Sequence, residues 1–169
     1  VRQVVVAETG GGNQTIVVDL RTALWLAGTA TIGPAFDINA GAGTDKLELL
    51  MTDSNDTVVM GYDGTRGRVS YNSDAVADVH FQALEAPVIV YLGGGNDSFS
   101  AAGDTATGGA AFNQALTVYG GDGNDYLRSG MAATLSSTLY GDEGDDWLGA
   151  GSTIDDGADV MWGGNGTDV

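Results

Sequence analysis

The chain contains no cysteine, so neither a disulfide framework nor a cysteine-ligated zinc site can hold it together. It has only 2 prolines among its 169 residues, and no apolar run reaches the length that spans a bilayer. Cations are scarce, since 6 Lys and Arg stand against 23 Asp and Glu for a formal net charge of −17. Such a charge makes nucleic acid a poor partner and disfavours insertion into an anionic membrane.

The signals of helices and of catalysis are also weak. No stretch has sustained helical periodicity, and 28 glycines favour short strands joined by tight turns. His80 is the only histidine and no nucleophile motif accompanies it, so we expect it on a strand face and predict no enzyme. No signal peptide is visible at the start. The chain opens on Val1 and stops inside a repeat, so we interpret it as a piece of a longer protein.

A six-residue motif recurs four times in the second half of the chain, and we call its copies the four Gly-Asp turns. They are Leu92–Asp97, Gly120–Asp125, Gly141–Asp146 and Gly163–Asp168. Where sequence follows, a large apolar residue stands two positions after the aspartate, as Phe99, Leu127 or Leu148. One such turn would indicate no more than a β-turn, but four with the pattern Gly-Gly-x-Gly-x-Asp-x-apolar-x indicate a calcium-binding β-solenoid.

The residue types in these turns suit calcium. Calcium takes six to eight oxygen ligands, including carboxylates and backbone carbonyls, and glycine lets a backbone approach an ion closely. One turn cannot surround an ion, whereas two stacked turns can, so we predict several Ca²⁺ ions between successive turns. The predicted metal ligands are Asp45, Gly93, Gly95, Asp97, Gly120, Asp122, Asp125, Gly141, Glu143, Asp146, Gly163, Asn165 and Asp168.

Over residues 88–169 the turns resemble the RTX, or hemolysin-type, calcium-binding repeat. The resemblance implies a bacterial protein that is secreted or held at the cell surface. In that family the nine-residue units usually run back to back with calcium on both edges, but here the aspartates are 28, 21 and 22 residues apart. This spacing favours a wider, right-handed parallel β-solenoid with calcium turns along one edge. Other loops then form the opposite edge: Gly103–Asn113, Met131–Ser137 and Gly151–Ala158.

The first half of the chain is less regular. We predict degenerate coils with a hairpin insertion over residues 1–85, continuous with the regular coils of 86–169. The hairpin is predicted over Val58–Tyr71, around Asp63-Gly64.

Three turns in this half vary the motif. Thr9–Gln14 has an amide in place of the aspartate and is interpreted as a decayed or capping turn. Asn39–Asp45 is a fair calcium turn, and Met51–Asp56 is a more degenerate one.

Two side-chain series precede the turn aspartates by six and seven residues. The first series is aromatic: Tyr91, Tyr119, Tyr140 and Trp162; the second is aliphatic: Val90, Val118, Leu139 and Met161. Because adjacent side chains of a strand face opposite ways, we expect the aliphatic series inside and the aromatic series outside as a ladder, which Tyr126 and Trp147 extend. Two interpretations stay open: the rings stack to fix the register of the coils, or they bind a partner subunit or a glycan.

These observations predict an extracellular structural module, part of a surface layer, adhesin or filament, whose folding is driven by calcium. Without the ion, stacked aspartates repel and glycine-rich turns lose much entropy on ordering. Neither end has an obvious cap, so head-to-tail association of identical subunits is plausible. The alternatives are an accessory calcium-folding module of a secreted enzyme, or a glycan-binding module that uses the aromatic ladder.

Overall fold

The computed structural model describes residues 4–7, 11–21, 36–72, 77–130, 136–151 and 158–169. Over these ranges the chain forms β-strands and no helix, which confirms the prediction of an all-β fold. The strands are β1 (Val4–Ala7), β2 (Thr15–Asp19), β3 (Phe36–Asn39), β4 (Lys46–Leu50), β5 (Thr57–Tyr62), β6 (Gly67–Tyr71), β7 (Val79–Gln82), β8 (Val88–Gly94), β9 (Ser98–Ser100), β10 (Ala110–Ala111), β11 (Leu116–Asp122), β12 (Tyr126–Arg128), β13 (Ser137–Glu143), β14 (Trp147–Gly149) and β15 (Val160–Asn165). In the part of the chain that the structure describes, no helix is long and apolar enough to cross a membrane.

The strands form two sheets. The six-stranded sheet has the order β2-β4-β8-β11-β13-β15, and all of its strand pairs are parallel. The nine-stranded sheet has the order β1-β3-β7-β6-β5-β9-β12-β14, with β10 added beside β5, and only the pairs made by β6 and β10 are antiparallel. From β8 onward the chain alternates between the sheets apart from β10, which is why strands of one sheet are parallel.

The hydrophobic core lies between the two sheets. Burial alternates along β8, β11 and β13, and the buried side chains include Val90, Val118 and Leu139. From the other sheet, Phe99 and Leu127 join the same core. The inward direction predicted for these side chains is therefore confirmed.

The end of the stack departs from that pattern. Met161 on β15 is 36% exposed and Leu148 on β14 is only partly buried, because β15 and β14 are the last strands of their sheets among the described residues. Met161 is in register with the buried Leu139, so it lies on the predicted inner face, and it is exposed because nothing described covers it on its outer side.

The predicted hairpin is present. Strands β5 and β6 are antiparallel, with Val58 opposite Tyr71 and Tyr62 opposite Gly67. Its turn is held by Asp63, whose carboxylate accepts hydrogen bonds from the backbone N–H groups of Thr65 and Arg66, at 2.8 and 2.7 Å.

Both halves of the chain contribute to both sheets, since β4 pairs with β8 and β5 pairs with β9. Of the loops predicted for the opposite edge, residues 103–113 contain β10, which packs against the hairpin. Residues 131–135 and 152–157, from the other two loops, lie outside the described residues.

His80 lies on β7, as expected for a strand-face residue, in register with Asp37 of β3 and Arg68 of β6. Burial lowers its pKa, and the neighbouring Arg68 lowers it further. These surroundings favour a neutral imidazole.

Candidate metal centre

The four Gly-Asp turns lie where the chain leaves the six-stranded sheet. The first three connect β8 to β9, β11 to β12 and β13 to β14, and the fourth follows β15. The turns are stacked in register: the N–H groups of Gly95, Gly123 and Gly144 each donate a 2.8 Å hydrogen bond to a carbonyl of the next turn. The sequence repeat therefore becomes a stack of equivalent positions.

Glycine is required at the fourth position of each turn. Gly123 has φ +126° and Gly144 has φ +132°, a left-handed backbone that side chains rarely adopt. A Cβ on Gly144 would also collide with the carbonyl group of Gly123 in the turn below. The spacing of the stack therefore depends on the absence of a side chain here.

The turn aspartates form a hydrogen-bonded column. The backbone N–H of Asp97 donates to Oδ1 of Asp125, and that of Asp125 donates to Oδ1 of Asp146, both at 2.8 Å. Asp146 donates in the same way to Oδ1 of Asp168 at 3.0 Å, and Asp56 donates to Asp97 at 2.8 Å. Each aspartate thus uses one carboxylate oxygen to tie its turn to the preceding one.

A second column runs beside the first, in the opposite sense. The N–H of Asn96 donates to Oδ1 of Asn55, and the N–H of Asn124 donates to Oδ1 of Asn96, at 2.8 and 2.9 Å. The same contact continues from Asp145 to Asn124 and from Thr167 to Asp145. Sequence reasoning missed these residues as ladder members, although a short polar residue stands before every turn aspartate.

The second carboxylate oxygen of the inner aspartates has no partner. Oδ2 of Asp97, Asp125 and Asp146 is buried and makes no hydrogen bond. These side chains are almost fully buried, at 3%, 3% and 2% exposure. An unpaired buried carboxylate oxygen is costly, so a cation bound at one of these three oxygens would remove a free-energy penalty.

Two of these oxygens lie where a glycine has no side chain. A Cβ added to Gly120 would collide with Oδ2 of Asp125 and lie 2.6 Å from the carbonyl oxygen of Gly141. A Cβ added to Gly141 would collide with Oδ2 of Asp146 and with the carbonyl oxygen of Gly163. A carboxylate oxygen of one turn and a carbonyl oxygen of the next therefore converge on the same position, which we call the oxygen cradle.

Burial changes the acidity of the column. Burial, with a smaller contribution from the neighbouring aspartates, raises the pKa of Asp97 to about 7 and that of Asp125 to about 6, against the lowering effect of a backbone hydrogen bond to each carboxylate. Burial also raises the pKa of Asp146. In the absence of a cation these groups resist ionisation, as expected for carboxylates held close together away from water.

The first turn differs from the others. Leu92 takes the place of the cradle glycine and is fully buried. Oδ2 of Asp97 therefore lacks the open position that Gly120 and Gly141 provide for the next two aspartates. Gly93 and Gly95 have positive φ, which serves the turn geometry at this level.

Asp56 belongs to the same column, but both of its carboxylate oxygens accept hydrogen bonds from protein groups. Its Oδ2 accepts hydrogen bonds from the N–H and hydroxyl of Thr52, at 2.8 and 2.9 Å. Its Oδ1 accepts the hydroxyl of Tyr71 at 2.7 Å. The degenerate turn at 51–56 is thus tied to the column through protein hydrogen bonds alone.

Asp45 lies on the other side of the molecule. Its turn connects β3 to β4, so it leads from the nine-stranded to the six-stranded sheet, opposite in sense to the four Gly-Asp turns. The single edge expected for all calcium turns is therefore wrong for this residue. Its Oδ1 accepts the N–H of Gln14 at 2.8 Å, while its Oδ2 and the Oε1 of Gln14 are buried without partners.

The third position of the turns faces solvent. Asp122, Glu143 and Asn165 are exposed, and the amide of Asn165 donates to Oε1 of Glu143 at 2.7 Å. Their backbone carbonyls accept the N–H groups of the preceding turn. Of the predicted ligands, these three side chains are not brought to the oxygen cradle.

The donor set of the cradle fits a hard cation. No group of three or more His, Cys, Asp or Glu side chains among the described residues is arranged to hold a metal. The cradle instead combines one carboxylate oxygen with one carbonyl oxygen: that of Asp125 with that of Gly141, and that of Asp146 with that of Gly163. Such oxygens are the ligands that Ca²⁺ takes in proteins.

The aromatic ladder is outside the core, on the six-stranded sheet. Tyr91 stacks on Tyr119 and Tyr119 stacks on Tyr140, with centroids 5.0 and 4.8 Å apart and planes within 6°. Trp162 follows in backbone register with Tyr140 and is 60% exposed. The three tyrosines of the ladder therefore stack on one another, as the first of the two sequence interpretations required.

Tyr126 and Trp147 do not extend this surface, contrary to expectation. They lie on β12 and β14 of the nine-stranded sheet and stack on each other, at 4.3 Å and 5°. Each residue directly follows a turn aspartate, and the turn carries the chain into the other sheet. The molecule thus has two separate aromatic stacks.

Comparison of this chain with protein-family models, with curated proteins and with solved structures found no match.

Proposed function

We propose that the protein is a calcium-binding structural module of an extracellular or cell-surface protein, and that its two sheets are the faces of a right-handed parallel β-solenoid. The observation that carries the proposal is the oxygen cradle. At Gly120 and at Gly141, a buried carboxylate oxygen without a partner and a carbonyl oxygen of the next turn lie close together beside a glycine that has no side chain. A Ca²⁺ ion there would supply the missing partner for Asp125 and for Asp146.

The proposed calcium site forms only when successive turns are stacked in the folded protein. Asp125 belongs to one turn and the carbonyl of Gly141 to the next, so the two donors are distant in an unfolded chain. An ion that binds only this arrangement stabilises the folded state by mass action. Folding and calcium binding are therefore coupled in the proposed mechanism.

The proposed compartment follows from the same coupling. A chain with a net charge of −17 and buried carboxylates is stabilised poorly where free calcium is scarce. Extracellular calcium modules work with dissociation constants of about 10⁻⁴ to 10⁻³ M, which suits millimolar calcium outside the cell. The resemblance of the turns to the RTX repeat supports a secreted bacterial protein.

Isothermal titration calorimetry with Ca²⁺ tests the proposal, with Mg²⁺ as the competing ion. The double variant Asp125→Asn, Asp146→Asn should lose binding sites, since it removes both unpaired carboxylate oxygens. The matched control Asp122→Asn, Glu143→Gln removes the same charge from the solvent-facing position of the same turns. Equal losses in both variants, or equal binding of Mg²⁺ and Ca²⁺ by the wild type, would contradict the proposal.

Association of subunits is the second part of the proposal. Strand β15 has a neighbour on one side only among the described strands, and it exposes Val160, Met161 and Trp162. A further coil, from the same chain or from a second copy, would pair there through its backbone. Light scattering should then show larger particles with calcium than with chelator, and Met161→Asp should reduce their size. A particle size that is the same with calcium and chelator, and the same in the variant, would exclude association of subunits.

A further inference from the structure

An open cleft of about 410 Å³ lies on the outer face of the six-stranded sheet, at the β4 side of the tyrosine ladder. Its volume is within the range of small-molecule sites. The described residues that line it are Arg21, Glu48, Leu50, Met51, Asp53, Tyr91 and Gly93. The lining includes Gly93 of the first Gly-Asp turn, but it includes none of the turn aspartates and neither Gly120 nor Gly141, so the cleft is separate from the oxygen cradle.

The cleft lies over Leu50, between Tyr91 on one side and the ion pair of Arg21 with Asp19 on the other. Asp19, Leu50 and Tyr91 are neighbours in register on β2, β4 and β8. Leu50 is shorter than Tyr91, so it forms a floor between the tyrosine ring and the group that stands on the β2 side. Because β4 lies between them, β2 and β8 are roughly 9.6 Å from each other, which leaves room for one ring between the two walls.

One wall is an aromatic face. The ring of Tyr91 is covered on one side by Tyr119, at a centroid distance of 5.0 Å, and its other side is directed toward Leu50 and the cleft. Tyr119, in contrast, stacks on a neighbour on each side. Within the three-tyrosine stack, a ligand ring can thus reach a tyrosine face only at an end, and the cleft lies at the Tyr91 end.

The other wall is a guanidinium group held in place. Asp19 accepts hydrogen bonds from Nε and Nη2 of Arg21, at 2.9 and 2.7 Å. This two-point contact fixes the plane of the guanidinium, which is a surface on which rings stack. Glu48 and Asp53 add carboxylates to the lining, and Glu48 also pairs with Lys46 at 2.6 Å.

From this lining we propose that the cleft binds a neutral sugar ring of a glycan. A pyranose presents an apolar C–H face, which suits Tyr91, and a hydroxyl edge, which suits the carboxylates and Arg21. An anionic sugar would be repelled by Glu48, Asp53 and the net charge of −17. An aromatic hydrocarbon would bury these charged groups without hydrogen bonds.

This site differs from a strip along the whole ladder. Tyr119 has both ring faces covered, so it contributes stacking to the coils and no face to a ligand. The aromatic group that would contact the sugar is Tyr91, and Arg21 and Asp53 would be its polar partners. Tyr140, at the other end of the tyrosine stack, supplies a matched control.

Affinity electrophoresis in gels containing dextran, mannan, xylan or galactan tests the proposal, with hyaluronan as an acidic control and with millimolar calcium throughout. At least one neutral polysaccharide should retard the wild type. Tyr91→Leu should then weaken binding about tenfold, since stacking contributes most of the contact. Arg21→Gln and Asp53→Asn should also weaken it, whereas Tyr140→Leu should bind as the wild type does.

Several outcomes would overturn the proposal: no retardation by any neutral polysaccharide, stronger retardation by hyaluronan, or an equal loss in Tyr91→Leu and Tyr140→Leu. Circular dichroism of each variant separates loss of binding from loss of folding, and Arg21 offers a test at an exposed side chain if a tyrosine variant misfolds. Calcium affinity should be unchanged in Arg21→Gln, so the result for the cleft is distinguishable from the result for the metal centre.

Discussion

The backbone N–H of Asp97 donates a 2.8 Å hydrogen bond to Oδ1 of Asp125, 28 residues later in the chain. Oδ2 of the same Asp125 is buried and unpaired beside Gly120. One side chain therefore has two separate tasks: the first oxygen fixes the distance between two turns, and the second faces the oxygen cradle. This division predicts different effects for different substitutions at one position.

Asp125→Asn should retain the first task and lose the second, because an amide oxygen still accepts the N–H of Asp97. Without calcium, the folded fraction should equal or exceed that of the wild type, since a buried ionisable group is removed. With calcium, the variant should be less stable than the wild type. Urea unfolding followed by circular dichroism in both conditions measures this reversal.

Asp125→Ala is the contrasting variant, because it removes the acceptor of the Asp97 N–H as well. The loss of a partner for a buried N–H should cost about 1–3 kcal/mol with or without calcium. If the alanine and asparagine variants behave alike in both conditions, the two oxygens do not have separate tasks.

Gly120→Ala should fill the oxygen cradle with a methyl group. Gly120 lacks a positive φ, so the effect arises from lost space beside Asp125 and Gly141 rather than from backbone strain. The rise in melting temperature on adding calcium should be smaller than in the wild type. Gly11→Ala is the matched control, since its nearest neighbour is a carbonyl oxygen 3.8 Å away; equal calcium-dependent rises in the two variants would refute the cradle.

The calcium-free protein should become more stable as the pH falls. In the folded state the pKa of Asp97 is about 7 and that of Asp125 about 6, above the value of about 3.9 for an unfolded chain. The folded state therefore binds more protons, and the stabilisation is complete below about pH 4 and is lost as the pH rises through 6 and 7. Thermal unfolding in metal-free buffer between pH 4.5 and 7.5 measures the trend.

Asp63 has the opposite effect on stability and limits the gain at low pH. Burial raises the pKa of Asp63, but hydrogen bonds from Arg66, Thr65 and Arg68 outweigh it and lower the value to about 2. Its contribution is present above about pH 4 and is lost as the pH falls toward 2. A metal-free protein whose stability rises steadily from pH 4.5 to 7.5 would contradict the account of the column.

Each tyrosine of the ladder should stabilise the six-stranded sheet in proportion to its number of stacked neighbours. Tyr119 has two and Tyr140 has one tyrosine neighbour in the stack, and each stacked pair is worth about 0.5–1.5 kcal/mol. Tyr119→Leu should therefore lower the free energy of unfolding about twice as much as Tyr140→Leu. Chemical denaturation with calcium present provides the comparison, and equal losses would show that stacking is not the source of stability.

Much of the fold was readable because the repeat is encoded locally. The glycines and aspartates of the turns, and the alternation of Val90 with Tyr91, determine turn positions and strand faces without knowledge of distant contacts. The side of the molecule on which Asp45 lies was not readable, because it depends on which sheet the preceding strand joins. The assignment of Tyr126 and Trp147 to the wrong surface has the same cause.

The finer details of the site needed the structure. The sequence indicates that Asp125 and Asp122 both belong to a calcium turn, but only the buried position of the first separates it from the exposed second. Likewise, Leu92 reads as an ordinary core residue, and its place at the cradle position becomes evident when successive turns are stacked. The sequence motif identifies the types of residue in each turn, whereas the stacking of successive turns determines which of their oxygen atoms lie together.

Far-UV circular dichroism during titration of calcium into the chelated protein at neutral pH tests the central claim most directly, with magnesium as the control. The account predicts a calcium-specific rise in β-strand signal that the double variant Asp125→Asn, Asp146→Asn blunts. A wild-type spectrum that is already fully folded and does not change with calcium would contradict it, and the Gly-Asp turns would then be connections held by their hydrogen bonds alone.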